Sequence, residues 1–203
     1  MKHLVRVFAL LVTVGLPAAA QAQVSGGVRA GVNLTNFSVD PEPLPDFETL
    51  TGFTAGAFVT VPVNGVFSFQ PEVVYSRQGT KLTAAGMTGR MKLDYIQMPL
   101  LARVRTGTHS PLAILVGPSL GFRTQVSLTG PGIPAEATEG LDEAFKTFDF
   151  GLAAGAELGA GPFVLDARYT WGLTNIVKDA FLGEESSGTA KNRVLSLTAG
   201  LRF

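Results

Sequence analysis

From Ser25 onward, apolar side chains recur at every second position in eight separate stretches. In the first, residues 25–37, Val28, Ala30, Val32 and Leu34 alternate with Arg29, Gly31, Asn33 and Thr35. In the second, 51–63, Phe53, Ala55, Ala57, Val59 and Val61 share a face. The third, 66–78, sets Phe67, Phe69, Val73 and Tyr75 against Ser68, Gln70, Glu72 and Ser76. The fourth, 92–106, sets Ile96, Met98, Leu100, Ala102 and Val104 against Gln97, Leu101, Arg103 and Arg105. In the fifth, 112–127, Leu112, Ile114, Val116, Leu120 and Phe122 oppose Gly117, Ser119, Gly121, Arg123 and Gln125. The sixth, 147–159, and seventh, 162–175, follow the same rule, with Asp149, Glu157, Asp166 and Arg168 on the polar parity. The last, 193–203, puts Leu195, Leu197, Ala199, Leu201 and Phe203 on one face and Ser196, Thr198, Gly200 and Arg202 on the other. A period of two belongs to a strand with one greasy and one polar or small face.

Connections between these stretches alternate in length. Asn64-Gly65, residues 107–111 and Ala160-Gly161 are short turns, the first carrying the strongest hairpin signal in the chain. Residues 38–50, 79–91, 128–146 and 176–192 are long links, rich in Pro, Gly and charge. Each strand is long enough to cross a membrane when tilted, about 9–11 residues being required. The expectation is an all-β chain: an eight-stranded antiparallel transmembrane barrel with short periplasmic turns and four long outer loops. With that topology, outward Phe53, Tyr75, Phe122, Phe148, Phe150, Tyr169 and Trp171 gather near the loop end, and Phe67, Phe163 and Phe203 near the turn end. Two aromatic girdles around an aliphatic belt suit the two membrane interfaces.

The amino terminus agrees with export. Lys2, His3 and Arg6 precede an apolar run over 7–16, and Ala20-Gln21-Ala22 forms a cleavage site. Residues 1–22 are expected to be a signal peptide and 23–203 the barrel domain. The apolar run is too short for a stable membrane helix. The absence of cysteine excludes a lipid anchor, disulfides and thiol chemistry. Sixteen basic against sixteen acidic residues give no footprint for nucleic acid. The positive mean hydropathy is spread over alternating strands, as in a closed barrel, which pairs every backbone polar group.

The terminal strand, with Leu197, Leu201 and Phe203 at alternate positions, resembles the carboxy-terminal signal read by the barrel-insertion machinery. GVRAGVNLTNF (27–37), TGFTAGAF (51–58), FQPEVVYSRQG (69–79), YIQMPLLARV (95–104), LVGPSLGF (115–122), FDFGLAAGAEL (148–158) and YTWGLTNI (169–176) together resemble the PorT-like outer-membrane β-barrel family, common in Bacteroidetes and relatives. That resemblance implies an integral outer-membrane barrel. A few members are accessory to protein export.

Arg29, Glu72, Arg103, Arg105, Arg123, Glu157, Asp166, Arg168 and Arg202 fall on the inward parity. An eight-stranded barrel is just wide enough inside for side chains to fill. Paired arginines and carboxylates would make a polar plug; an excess of arginine would instead line a narrow anion path. Enzymatic chemistry is not expected, because His3 lies in the signal and His109 in a periplasmic turn. The acidic loops around Asp40–Glu48 and Glu136–Glu143 match no calcium-loop spacing, and Glu136, Glu139 and Glu143 could form a helical turn. No metal or cofactor is expected. The expected role is a small membrane scaffold whose outer loops meet lipopolysaccharide, ligands or a protein partner. Arg77, at the outer end of the third strand, is a candidate for lipid phosphate.

Overall fold

In a computed structural model, residues 24–40, 47–84, 87–130, 145–176 and 189–203 are described. Residues 1–22, expected to be a signal peptide, and most acidic loop residues, including Glu136, Glu139 and Glu143, lie outside them. Eight strands run in chain order: β1 (Ser25–Asp40), β2 (Phe47–Pro62), β3 (Phe67–Ala84), β4 (Met87–Arg105), β5 (Leu112–Thr129), β6 (Phe148–Ala160), β7 (Phe163–Gly172) and β8 (Thr189–Arg202). Each pairs antiparallel with the next, and β8 returns to β1 to close the barrel. The closing seam runs from Gly27↔Arg202 to Asp40↔Thr189. No described helix is long and apolar enough to cross a membrane. The architecture is the closed eight-stranded antiparallel barrel that the alternation predicts.

Polarity is inverted relative to a soluble barrel. Val28, Val32, Phe53, Ile114, Leu152, Leu165 and Leu201 are exposed on the outside, Phe163 at 61% and Phe203 at 79%. Arg29, Glu72, Arg103, Glu157, Asp166 and Arg168 are buried inside. A continuous apolar band of this extent is incompatible with water and suits hydrocarbon. At its outer edge Phe122 packs edge-on to Phe148 at 5.5 Å, and Tyr169 lies 4.7 Å from Trp171.

Four local expectations are corrected. The link 79–91 is mostly strand: β3 and β4 stay paired from Gly79↔Lys92 to Ala84↔Met87. The outward face there rises above the apolar band, so it no longer needs greasy residues and the alternation that marks a strand fades. β1 and β2 likewise lengthen into the link 38–50, whereas β7 stops at Gly172. The Asn64-Gly65 hairpin is wider than a two-residue turn. Asn64 Oδ1 accepts from the Val66 and Phe67 amides at 3.0 and 2.8 Å, and Gly65 is not among the glycines of positive φ. That Asx-type bridging replaces the tight primed turn. Finally, a bulge between Asp94/Tyr95 and β5 swaps parity, so Gln125 is exposed and Val126 buried.

Candidate functional site

The lumen is built from strand parity. Arg29 on β1 sits opposite Gly56 of β2 and Gly200 of β8. Its long side chain takes the space that those glycines leave empty: a Cβ at Gly200 would come within 2.9 Å of the Arg29 Cβ. Arg168 on β7 faces Gly155 of β6 in the same way. Small residues thus alternate with long ones around the wall, which lets guanidinium groups reach across the barrel.

Seven of the nine inward charges that the sequence singles out meet in one network. Glu72, with a side chain wholly out of contact with solvent, accepts from Arg168 at 2.8 and 3.2 Å and from Gln70 at 3.0 Å. Its Oε1 also lies 3.0 Å from Arg29. Arg29 reaches Asp166 at 3.3 Å and Glu157 at 3.7 Å. Asp166 accepts from Arg168 at 2.9 Å. Glu157 accepts from Arg103 Nε at 2.9 Å and from Arg202. Phe58 covers one side of this cluster, with the Arg29 guanidinium 4.4 Å and the Arg202 guanidinium 5.7 Å from its ring centre. A guanidinium over an aromatic face in a desolvated site gains cation–π attraction. Inward parity alone places Phe58 here, yet an apolar residue on the polar face is not a signal that charge patterning detects.

The other two arginines lie apart. Arg105 donates to the Gly65 carbonyl at the turn end of the barrel. Arg123 donates to the Phe145 and Lys146 carbonyls at 3.2 and 3.3 Å at the loop end. Arg105 is the last residue of β4, and Arg123 stands just past the last β5–β6 pair, Phe122↔Phe148, so both lie at the rims of the lumen. Within the network four arginines (Arg29, Arg103, Arg168, Arg202) therefore meet three carboxylates (Glu72, Glu157, Asp166), with Asp149 buried further toward the outer end, and the arginine excess read from sequence shrinks to one.

Toward the outer end the interior turns from charged to mixed. Asn192 donates to Asp149 at 2.7 Å and approaches the Tyr95 hydroxyl at 3.4 Å, and Thr174 also donates to Asp149. Asn33 donates to Ser76 at 2.9 Å and accepts from Ser196 at 2.7 Å. Beside these, Leu93, Tyr95, Val126, Phe145 and Ile176 form an apolar cluster against Met91 and Ala190. The inner crevices among described residues measure about 30 Å³ beside Arg29, Glu72 and Arg168 and about 10 Å³ beside Gln78 and Asp149. Spaces of that size hold one or two waters.

Outside the lumen, Arg77 and Asp94 form a two-pronged pair on adjacent strands. Arg77 Nε and Nη2 donate to the two carboxylate oxygens at 2.8 and 2.9 Å, and Nη2 also reaches the Tyr75 hydroxyl at 3.1 Å. The pair lies just above Tyr75 and Ile96, beyond the apolar band. The hydrogen bonds from Arg77 hold the Asp94 carboxyl below the usual carboxylate range.

Leu197, Leu201 and Phe203 all face outward on β8. Among the described residues no group of three His, Asp or Glu could hold a metal ion. His109 is exposed in the turn between β4 and β5.

Residues 19–178 match the family model described as an outer membrane protein beta-barrel domain. Among solved structures, Neisserial surface protein A (NspA) aligns at 17% identity with a TM-score of 0.54, covering 89% of this chain and 99% of its own. The attachment invasion locus protein Ail of Yersinia pestis, in complex with the heparin analogue sucrose octasulfate, aligns at 15% identity and a TM-score of 0.48, covering 89% and 99%. OprG from Pseudomonas aeruginosa aligns at 11% identity and 0.48, covering 88% and 95%. No curated protein matches the chain. At such identities the likeness concerns the fold.

Proposed function

The chain belongs to the outer-membrane-protein β-barrel family and so to the bacterial outer membrane, and from that premise we propose that it is a non-conducting scaffold that binds through the outer ends of its strands and the segments between them. The observation that carries this reading is the filled lumen. Arg29 alone reaches carboxylates on β3, β6 and β7, and Arg103 and Arg202 add β4 and β8. Charges from six of the eight strands meet across the barrel, and the crevice beside Arg29, Glu72 and Arg168 measures only about 30 Å³. A plug whose arginines are engaged with carboxylates across the lumen offers no open passage, which disfavours the narrow-porin alternative.

Planar-bilayer recording of the refolded protein in molar KCl tests the proposal. The expected trace has no discrete steps; a reproducible unitary conductance would overturn it. Catalysis has no support in the lumen, where Arg and carboxylate groups are engaged with one another. Within the family, the ordered motifs from 27–37 to 169–176 favour a PorT-like barrel. An accessory role in protein export would appear as stoichiometric co-purifying subunits. Export through cleavage after Ala22 predicts a mature protein beginning at Gln23, readable by amino-terminal sequencing.

A further inference from the structure

The β3–β4 hairpin continues past the aromatic girdle, and its outward face changes character there. Above Tyr75 on β3 come Arg77, Gly79 and Lys81; above Ile96 on β4 come Asp94, Lys92 and Arg90. The register sets Arg77 against Asp94, Gly79 against Lys92 and Lys81 against Arg90. Outwardness follows from the partners between them: Gln78, Thr80 and Leu93 are buried inside, and Met91 packs on the inner apolar cluster. Gly79 contributes no side chain, so the outward side chains of this upper face are Arg77, Lys81, Arg90 and Lys92. No side chain is tolerated at Gly79, because φ there is +146° and a Cβ would fall 2.0 Å from the Met91 carbonyl oxygen. On the adjoining β5, Gln125, Ser127 and Thr129 stand opposite Asp94, Lys92 and Arg90. Among the described side chains of this face the acid is Asp94, already clamped by Arg77, and the backbone of Glu48 on β2 pairs with Lys81.

We propose that this face binds the phosphorylated glycolipid of the outer leaflet, lipopolysaccharide, through its phosphates, with the β5 hydroxyl and amide groups meeting its sugars. The inference rests on the membrane-scaffold reading and names the partner of one part of it. Height selects the ligand. With a strand rise of about 3.4 Å per residue and a tilt of about 40°, Arg77 stands about 5 Å above Tyr75, Lys92 about 10 Å above Ile96, and Lys81 about 16 Å above Tyr75. A phospholipid headgroup layer is only about 5–8 Å thick on each side of the hydrocarbon. Cations stacked through twice that height fit a headgroup whose phosphates continue into a sugar core. Diagonal cross-strand neighbours about 7–8 Å apart can converge long side chains on one phosphate, and guanidinium is suited to two-pronged phosphate contacts.

The test uses the full-length protein refolded in zwitterionic detergent, with the temperature of heat-modifiable gel shift as readout. Lipopolysaccharide is expected to raise that temperature for the native chain. In the double variant Arg90→Gln, Lys92→Gln, half-saturation is expected at least tenfold higher. Retention of the unboiled–boiled shift by the variant, at the native temperature without lipid, establishes that it folds. An equal response of native chain and variant would overturn the proposal, as would an equal response to dephosphorylated lipopolysaccharide. Inorganic phosphate acting as well as the glycolipid would replace the lipid site with a simple anion site. If the native chain itself shows no heat-modifiable shift, the barrel reading fails and this site falls with it.

Discussion

Glu72 is the residue on which the interior turns. Its carboxylate satisfies Arg168 by two hydrogen bonds, lies against Arg29 and accepts from Gln70, all out of reach of bulk water. Glu72→Ala leaves two guanidinium groups buried without their main counter-charge, a loss of about 3–5 kcal/mol for a broken buried pair. The urea midpoint in detergent should fall accordingly, and adding Arg168→Ala should restore part of the loss; strict additivity of the two changes would contradict the pairing. Arg77 and Asp94 behave differently because water reaches them, the Arg77 side chain being 43% exposed. Asp94 has a lowered folded value, so the pair stabilises the protein fully above the ordinary carboxylate pKa of about 3.9 and loses that effect as pH falls through the lowered value. The native chain should exceed Asp94→Asn by under about 1 kcal/mol at neutral pH. The two should converge in acid; a gap that widens below pH 3 would reverse the sign argued here. Which residues point inward was legible from parity for Arg29, Glu72, Glu157, Asp166 and Arg168. What pairs with what was not, because partners such as Glu72 and Arg168 sit 96 positions apart.

The β3–β4 hairpin separates into two parts with different duties. Below, from Phe67↔Val104 to Ser76↔Tyr95, it crosses the apolar band; above, it runs on to Ala84↔Met87. Replacing residues 81–90 with a short turn leaves the crossing part paired. Such a variant should still insert and still show the heat-modifiable shift; failure to fold would mean that the upper hairpin nucleates the barrel. The same division explains what strand patterning could reveal. Inside the membrane, lipid on one side and a polar lumen on the other impose strict alternation, so every crossing strand was readable. Above it, Lys81 and Arg90 face aqueous or headgroup surroundings, and a sequence such as GTKLTAAGMTGRMK reads as loop although much of it is paired. The bulge at Asp94/Tyr95 was hidden too, since one extra residue shifts parity without altering composition.

At the scale of the whole molecule, the neutral total charge conceals a layered arrangement. Paired charges fill the lumen, cations of the β3–β4 hairpin stand above the girdle, and many of the acids fall in the links between strands. Composition gave none of this, because a sum over the chain erases position; topology was needed to turn parity into inside, outside, above and below. The closing seam carries a consequence of its own. β1 finds one of its two neighbours in β2 at once, but the other is β8, more than a hundred and fifty residues downstream. Until that last strand arrives, the first keeps an open edge and the lumen has no wall to complete it. Closure of the barrel therefore has to wait for the last strand. The chain's open edge must be shielded from other chains on the way to the membrane, and resistance to detergent is expected only once its two ends meet.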